Sequence, residues 1–286
     1  LGDAGKPTDL TFVNLTVAVG ARLLIARDTG VDVKLSAKSI FVRGELWAGC
    51  EGEAKDAFQG KLLLELIGDP DASVRQSSRS HGHKDKVRKA LVVWGRLELH
   101  GTPKVSWQYL TATAAAGAKQ LDLDAAVDWQ FGDEVVVGST SSDDKESEVA
   151  VVASASGTTV MLSKGLQFDH KGDFTGRGAP LNAPVGLRSH NIRVRGRMAD
   201  GSEEQEARAW QECFSVQSVF AANKQGTPDK VWARCFGGHT FYLKGSVVHM
   251  EHVEFTSLGQ NMVMARYPVH WHLAGNASGS YVRSCA

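Results

Sequence analysis

Two histidines near the end of the sequence have a spacing that suits metal binding. His270 and His272 alternate with apolar residues, so a strand here would point both imidazoles to the same face. Two histidines can share a metal ion, but a zinc site needs at least one more protein ligand. Stacked neighbouring strands could supply that ligand from His239, His249, Glu251 and Glu254. One hypothesis is therefore a zinc or calcium site at His239, His270 and His272. The alternative is histidines held by backbone or carboxylate hydrogen bonds.

The same residues could serve as acids and bases. Hydrolysis of a glycosidic bond commonly uses two carboxylates, for which Glu251 pairs with Glu254 or Asp200. Elimination instead needs a base that titrates near neutral pH, a role that suits a histidine. The candidate catalytic residues are His249, Glu251, Glu254, His270 and His272. The alternative is a packing and hydrogen-bonding role at a turn between strands.

The segment from Arg75 to Lys89 is polar and rich in basic residues. It contains His81, His83, Lys84, Lys86, Arg88 and Lys89. One interpretation is a solvated loop between strands, and the other is a binding site for an acidic polysaccharide. We expect the segment to be mobile and exposed, with any affinity for such a polymer residing largely there.

Several tryptophans invite a sugar-stacking interpretation, because sugar rings pack on aromatic faces. Most of them lie in apolar strand-like runs, where core packing is the default. Trp107 and Trp129 lie near turns and are the surface candidates for polysaccharide binding. No glycine-rich phosphate-binding motif follows a strand and opens a helix, so nucleotide use is not expected.

The overall charge gives no general attraction to a charged polymer. Lysine plus arginine equals aspartate plus glutamate at 32 each, so we expect no nucleic-acid partner, and any charged ligand must meet a local patch. No run reaches the roughly 18 apolar residues of a membrane helix. The sequence begins at Leu1 and ends within a strand-like run, so we interpret it as a piece of a longer protein. Any membrane anchor would lie outside it.

The cysteines and the glycosylation sequons favour an extracellular protein. The 286 residues contain four cysteines, none in a C-x-x-C pair, which argues against a zinc knuckle. Cys213 and Cys235 flank a turn-rich segment and could form a disulfide, with buried free thiols as the ordinary alternative. Asn14 and Asn276 each begin an acceptor sequon for glycosylation.

Short strand-like runs separated by turns must position these residues. The runs in the last third of the chain are 191–195, 240–244, 247–255, 268–273 and 281–285. In the first of them, apolar Ile192 and Val194 alternate with arginines, which is the period-two pattern of a strand covered on one face. Stacked coils of a parallel β-helix produce such a series of short strands with alternating apolar residues, and a β-sandwich is the alternative. The residues predicted to point inward are Ile192, Val194, Val253, Phe255, Val269, Trp271 and Leu273. Gly44, Gly49, Gly95 and Gly101 are expected at turns or close backbone approaches.

Several motifs together resemble one family. Their residues are Gly44–Gly49, Gly95–Pro103 with Ser106-Trp107, Val127–Trp129, Gly132–Val137, Val185–Ile192, Phe236–His239, His249–Glu251, Glu254-Phe255, Gly259-Gln260 and Arg266–Gly275. In their residues and in their order along the chain, these motifs resemble the superfamily of fibrocystin-L, cell-surface hyaluronidase and the hyaluronan-binding, cell-migration-inducing proteins. The resemblance covers about residues 10–286.

The resemblance implies an all-β fold, in which a glycine-rich N-terminal β domain continues into a right-handed parallel β-helix. The implied boundaries are 1–110 for the glycine-rich domain, 111–184 for a connecting β segment and 185–286 for the β-helix coils. The hyaluronan-degrading branch carries an α/β insert after the Ser-Trp motif, but here Ser106-Trp107 runs directly into the next β segment. The sequence is therefore closer to the fibrocystin-L branch.

The function implied by this branch is binding without catalysis. We expect a secreted or cell-surface ectodomain fragment whose partner is an acidic polysaccharide such as hyaluronan, or a protein ligand. The other branch implies the alternative, a depolymerase of hyaluronan or a related polysaccharide.

Overall fold

The computed structural model describes residues 7–25, 32–52, 54–68, 88–176, 179–198, 201–222, 235–260 and 264–286. The chain divides into two compact units. Unit 1 consists of Leu1–Gly101 with Asn191–Arg283, and unit 2 consists of Thr102–His190 with Ser284–Ala286. The domain boundaries expected after residues 110 and 184 stay predictions.

Unit 1 is built from successive coils, each of which contributes to two parallel sheets. The long sheet contains β1 (Thr8–Val17), β3 (Asp32–Val42), β5 (Lys61–Leu66), β6 (Ala90–Val93), β16 (Ile192–Gly196), β17 (His239–Tyr242) and β19 (Val253–Thr256). The short sheet contains β2 (Arg22–Ile25), β4 (Glu45–Ala48), β7 (Arg96–His100), β18 (Val247–Glu251) and β20 (Tyr281–Arg283). This arrangement confirms the predicted all-β class and parallel β-helix.

The long strand of a coil is continuous at first and divided later. The first half of β3 pairs with β5 and its second half pairs with β6, both in parallel register. In the next coil, β16 pairs in parallel with β5, and β17 pairs in parallel with β6. In these later coils, longer stretches of sequence therefore separate the two halves of a strand, while the halves themselves stay in register with the coil before them.

In-register pairing stacks like residues and so builds the core. Leu35 pairs with Leu64, Leu64 pairs with Val194, and all three are fully buried. The short sheet repeats the arrangement, with Leu46 beside Leu97. Burying such a side chain contributes about 1.5–3 kcal/mol, so repeated columns of aliphatic residues stabilise the stack.

The inward-facing residues predicted for the last coils are confirmed in part. Ile192, Val194 and Val253 are fully buried, but Phe255, Val269 and Trp271 are only half-buried. The prediction for Leu273 is wrong, because that side chain is 79% exposed. The expected strand 268–273 is reduced to one bridge between Tyr242 and Trp271. The left-handed backbone at Leu273, with φ of 50°, ends the alternation there.

Glycines occupy the corners where coils approach most closely, as predicted. A Cβ on Gly44 would lie 2.1 Å from the carbonyl oxygen of Ala21 in the preceding coil. A Cβ on Gly95 would lie 2.0 Å from the carbonyl oxygen of Gly44 in turn. Only glycine allows three coils to stack at this corner.

Unit 2 contains a six-stranded antiparallel sheet. Its strands, in spatial order, are β8 (Trp107–Tyr109), β15 (Pro184–Leu187), β10 (Glu134–Val137), β11 (Glu148–Ser156), β12 (Thr159–Leu162) and β9 (Gln120–Asp122). A bridge between Leu110 and Leu123 joins the two edges, so the sheet closes around a core that includes Val135, Val152 and Val185. A small hairpin of β13 (Phe174–Gly176) and β14 (Ala179–Leu181) completes the unit.

One helix, α1 (Glu203–Ala222), was not predicted from the sequence. Ser202 and Gln205 form a reciprocal capping box at its start, since each backbone N–H donates to the other side chain. Cys213 of α1 forms a disulfide with Cys235, with Cα atoms 5.5 Å apart. Among the described residues, no helix is long and apolar enough to span a membrane.

Alanine at position 95 is expected to destabilise unit 1, because backbone atoms of a stacked coil cannot easily move away from the added methyl group. We expect the free energy of unfolding to fall by about 2 kcal/mol or more in a urea titration, as for overpacked cores. Gly279→Ala is the control, since a Cβ added at that position would meet no atom within 4 Å. Equal losses in the two variants would contradict the steric explanation.

Replacing Cys213 by serine is expected to loosen α1. The disulfide joins residues 22 apart in sequence, and a loop of that size contributes about 3 kcal/mol by restricting the unfolded chain. Hydrogen exchange in α1 should accelerate in the variant. Cys50→Ser, which removes a partly buried free thiol, should leave it unchanged. Unaltered protection of α1 in Cys213→Ser would refute the role of the disulfide.

Candidate functional site

The outward face of the short sheet carries rows of charged and aromatic side chains. Alternation along β7 points Leu97 and Leu99 into the core and places Arg96, Glu98 and His100 on the opposite face of the sheet, where Glu98 and His100 are also buried. Parallel register then aligns the outward residues of neighbouring strands. The rows are Arg22, Glu45 and Arg96; Trp47, Glu98, His249 and Tyr281; and His100, Glu251 and Arg283.

A groove lies at the corner where each coil turns from the long sheet into the short sheet. Its charged lining residues are Arg22, Arg43, Glu45 and Arg96. Its remaining lining includes Gly20, Gly44, Gly95 and Gly245. The groove is open beside Gly20 and Gly245, since a Cβ added at either position would meet no atom within 4 Å. We call this feature the corner groove.

Glu45 orients the first arginine of the corner groove. Its carboxylate accepts hydrogen bonds from Arg22 Nε at 2.6 Å and from Trp47 Nε1 at 2.9 Å. The hydrogen bond from Arg22, and then that from Trp47, lowers the pKa of Glu45. The guanidinium of Arg22 lies 5.1 Å from the centre of the Trp47 ring, and that of Arg96 lies 5.9 Å from it. Arg43 lies over Trp94 in the same way, at 5.3 Å.

A chain of alternating charges runs from the corner groove across the short sheet. Arg96 Nη1 donates to Glu98 Oε1 at 2.6 Å, and His100 Nε2 lies 2.7 Å from Glu98 Oε2. His100 Nδ1 lies 2.9 Å from Glu251 Oε2, and Glu251 also accepts a hydrogen bond from Arg283. The side chains of His100 and Glu98 are only 2% and 3% exposed. We call Arg96, Glu98, His100, Glu251 and Arg283 the charge chain.

His249 is a side branch of the charge chain. Its Nδ1 lies 3.1 Å from Glu98, and its Nε2 donates to the carbonyl oxygen of Gly279 at 2.6 Å. The imidazole stacks on the ring of Tyr281, with centroids 4.4 Å apart. This histidine therefore connects β7, β18 and β20.

The charge chain favours the ionised forms of Glu98, Glu251 and His100. Burial opposes ionisation of Glu98, but hydrogen bonds from His100 and Arg96 outweigh it and lower its pKa. Burial likewise opposes the ionised form of Glu251, whose pKa is lowered by Arg283 and His100. Burial disfavours a charged His100, yet the two carboxylates prevail and raise its pKa. A lowered pKa does not suit a general acid at neutral pH, because that role requires a raised pKa.

The structure does not bring the five candidate catalytic residues into one cluster. His249 and Glu251 lie on the outward face of the short sheet. Glu254 belongs to the long sheet, where its buried carboxylate lies 3.0 Å from Arg193 Nε. His270 and His272 pack against Phe241, with ring centroids 5.2 and 5.0 Å away. A catalytic role for each residue stays a prediction.

The histidines expected to hold a metal have aromatic neighbours. His239 is fully buried between Phe236 and Phe241, with centroids 5.4 and 4.8 Å away. Burial, and then the neighbouring His272, lowers the pKa of His270. Within the described part of the chain, no three histidine, cysteine or acidic side chains lie close enough to hold a metal ion. Three imidazoles would also suit calcium poorly, since calcium takes oxygen ligands.

The predicted basic binding segment is described only at its end. His81, His83, Lys84 and Lys86 lie outside the described residues. Arg88 is exposed, as expected. The expectation that Lys89 is exposed is wrong, because its side chain is buried and its Nζ donates to the carbonyl oxygens of Arg197 and Phe236. Those backbone acceptors compensate for burial of the ammonium group.

The two tryptophans chosen as surface candidates differ. Trp107 is 54% exposed and meets Tyr109 edge-on, with centroids 5.0 Å apart. The expectation for Trp129 is wrong, since the ring is buried in the core of unit 2 and Nε1 donates to the carbonyl oxygen of Val105 at 2.6 Å. Asn14 and Asn276, the glycosylation candidates, are both exposed.

Sequence reasoning missed the residues of the corner groove and the buried part of the charge chain. Arg22, Arg43, Glu45, Glu98 and His100 were not singled out. The alternation Arg96-Leu97-Glu98-Leu99-His100 was the available signal, because it places three ionisable side chains on one face of a strand.

Comparisons with known proteins agree with the motifs. Residues 6–111 match the family model of the G8 domain, and residues 235–286 match that of the CEMIP beta-helix. Human fibrocystin-L is 31% identical over 89% of this chain, and mouse fibrocystin is 29% identical over 96%. The chain spans only 6% and 7% of the lengths of these relatives.

Solved structures give weaker matches. The tailspike gp61 of Pseudomonas phage phi297 covers 77% of this chain, with 28% of its own length matched, 11% identity and a TM-score of 0.29. The Gp54 tailspike of Acinetobacter baumannii phage AP22, solved with a capsular saccharide, covers 79%, with 29% of its own length matched, 10% identity and a TM-score of 0.28. From the family models and the relatives, the chain belongs to the superfamily of fibrocystin-L and CEMIP-type proteins, in which a G8 domain is combined with a β-helix.

Proposed function

We propose that this chain is an extracellular, non-catalytic module that binds an acidic polysaccharide in the corner groove. The observation that carries the proposal is the lining of one groove by arginines from three successive coils, Arg22, Arg43 and Arg96. Guanidinium groups bind carboxylates and sulfates through paired, charge-assisted hydrogen bonds, which makes them suited to anionic sugars.

The balance of charge in the groove supports an anionic ligand. Glu45 is the one acidic side chain among its lining residues, and its carboxylate is engaged by Arg22 and Trp47. Glu98, which pairs with Arg96, is buried behind the surface. The groove is therefore locally positive on a chain with no net charge.

The spacing of the arginines favours a polymer over a single sugar. Neighbouring coils lie about 4.8 Å apart, so arginines in the first and third coils are separated by about twice that distance. A chain lying across the coils could meet all three guanidiniums in succession. Trp94, beneath Arg43 and 38% exposed, offers an adjacent surface for a sugar ring.

Binding without cleavage is supported by the state of the carboxyl groups. Glu98 and Glu251, on the same face as the groove, are ion-paired and have lowered pKa values. The absence from this sequence of the α/β insert of the hyaluronan-degrading branch points the same way. The disulfide and the exposed sequon asparagines support an extracellular location.

Removing two groove charges should weaken binding of heparin and hyaluronan. We expect Arg22→Gln with Arg43→Gln to raise the dissociation constant at least about tenfold at low salt, a change of about 1.4 kcal/mol. Salt should weaken wild-type binding, because exposed charges are screened. Lys119→Gln with Lys145→Gln is the control, as it removes two charges from exposed lysines of unit 2.

A further variant separates the corner groove from the predicted basic segment. Lys84→Ala, Lys86→Ala and Arg88→Ala should retain most of the binding if the groove is the main site. Loss of binding in this variant alone, with full retention in the groove variant, would overturn the proposal. Surface plasmon resonance with immobilised heparin and hyaluronan, with dextran as the neutral reference, measures both.

The purified chain should leave high-molecular-weight hyaluronan uncut. Specific cleavage needs catalytic groups held in position beside the bond, with a proton donor of raised pKa. Labelled polymer incubated with the protein, with and without calcium or zinc, should keep its size on a sizing gel. Shortening that disappears in His249→Ala or Glu251→Gln would establish the alternative, a depolymerase with its active site on the short sheet.

A further inference from the structure

We propose that His100, as an imidazolium, is a positioning residue for the corner groove. It holds Glu98, and Glu98 holds Arg96, so that binding of a polyanion weakens as the medium becomes alkaline. The inference concerns regulation of the groove and rests on the proposed function for its ligand. Its structural part, a protonated histidine that holds the short sheet together, can be tested without any ligand.

The hydrogen bonds of His100 require both ring nitrogens to carry protons. Nε2 lies 2.7 Å from a carboxylate oxygen of Glu98, and Nδ1 lies 2.9 Å from one of Glu251. An ionised carboxylate can only accept a hydrogen bond, and neutral imidazole has a single N–H. With both carboxylates ionised, only the imidazolium satisfies both contacts. Its side chain is 2% exposed, so water cannot easily replace a lost partner.

The surroundings of His100 are set by three strands and one loop. Arg96 and Glu98 face it from β7, Glu251 and His249 from β18, and Arg283 with Tyr281 from β20. Glu51, after β4, pairs with Arg283 at 3.0 Å. On the β4 side, Gly49 lies against the carbonyl oxygen of His100, and that oxygen accepts a hydrogen bond from the backbone N–H of Phe58 at 2.8 Å. Charges alternate along this path, with His100 at its centre.

The direction of the pH effect follows from the pKa shifts. The pKa of His100 is raised, so its contribution to stability is complete below the ordinary value of 6.5 and is lost as pH rises through the raised value. The pKa values of Glu98 and Glu251 are lowered from 4.5, so their contributions are complete above that value and are lost as pH falls through the lowered values. The charge chain is thus intact between the two carboxylate transitions and the histidine transition.

Deprotonation of His100 should weaken binding at the corner groove through its effect on Glu98. One ring nitrogen would then present a lone pair to a carboxylate, and that contact would become repulsive. In either tautomer the ring loses its positive charge, so the carboxylate of Glu98 is less compensated and competes more strongly for the guanidinium of Arg96, which lies 2.6 Å away. The face would also lose one positive charge. Both changes oppose binding of an anionic polymer at the corner groove.

The ligand-free test uses the wild-type protein. The imidazole C–H resonances of His100 should titrate with a midpoint above 6.5. Amide protection factors in β20, corrected for intrinsic exchange, should fall through the same transition, while those in β10 and β11 of unit 2 stay constant. A midpoint at or below 6.5, or constant protection in β20, would overturn the inference whatever the protein binds.

The binding test compares pH profiles for heparin, whose charge is constant over the range used. Wild-type affinity should fall about tenfold between about pH 6 and about pH 9, the size of one charge-assisted contact. His100→Gln should bind with the weaker affinity at every pH. His170→Gln, which removes another buried histidine paired with a carboxylate, should keep the wild-type profile. A His100→Gln variant that retains the wild-type pH dependence would overturn the inference.

Absence of polyanion binding at every pH would instead refute the proposed function. It would also refute the inferred regulation of the groove, because that regulation rests on the proposed function. The role of protonated His100 in holding the short sheet together would then be decided by the ligand-free test alone.

Discussion

Stacked coils of a parallel β-helix lie only about 4.8 Å apart, and this spacing decides which residues fit at the corners of unit 1. Gly44 and Gly95 meet the carbonyl oxygens of neighbouring coils where any Cβ would collide. The corner groove lies at the same place, and its lining includes these two glycines together with Arg22, Arg43 and Arg96.

On the outward face of the short sheet, parallel register places charged residues of neighbouring strands side by side. Identical charges in neighbouring strands would repel each other, but here Arg96, Glu98, His100, Glu251 and Arg283 alternate in sign along their contacts. The interactions that hold β7, β18 and β20 together therefore also orient one arginine of the groove. If the groove binds a polyanion as proposed, stability and binding depend on the same side chains, and one proton then affects both.

Two errors of the sequence predictions, those for Lys89 and Trp129, have a common physical origin. A lysine in a basic run and a tryptophan near a turn are usually exposed, yet Lys89 and Trp129 are buried because backbone carbonyls satisfy their polar atoms. Those carbonyls belong to residues distant in sequence. The helix α1 was missed for a different reason, since its capping box of Ser202 and Gln205 was readable and was overlooked.

Local patterns in the sequence predicted most of the strands, the inward faces of Ile192, Val194 and Val253, and the corner glycines, because period-two alternation and the absence of a side chain are local properties. The sequence also indicated the family and Cys213 with Cys235 as a candidate pair. Which outward residues meet depends on the tertiary fold. Glu98 contacts His249, and His100 contacts Glu251, each across 151 residues. The segments between coils, including all of unit 2, vary in length, so no sequence interval specifies which strands become neighbours.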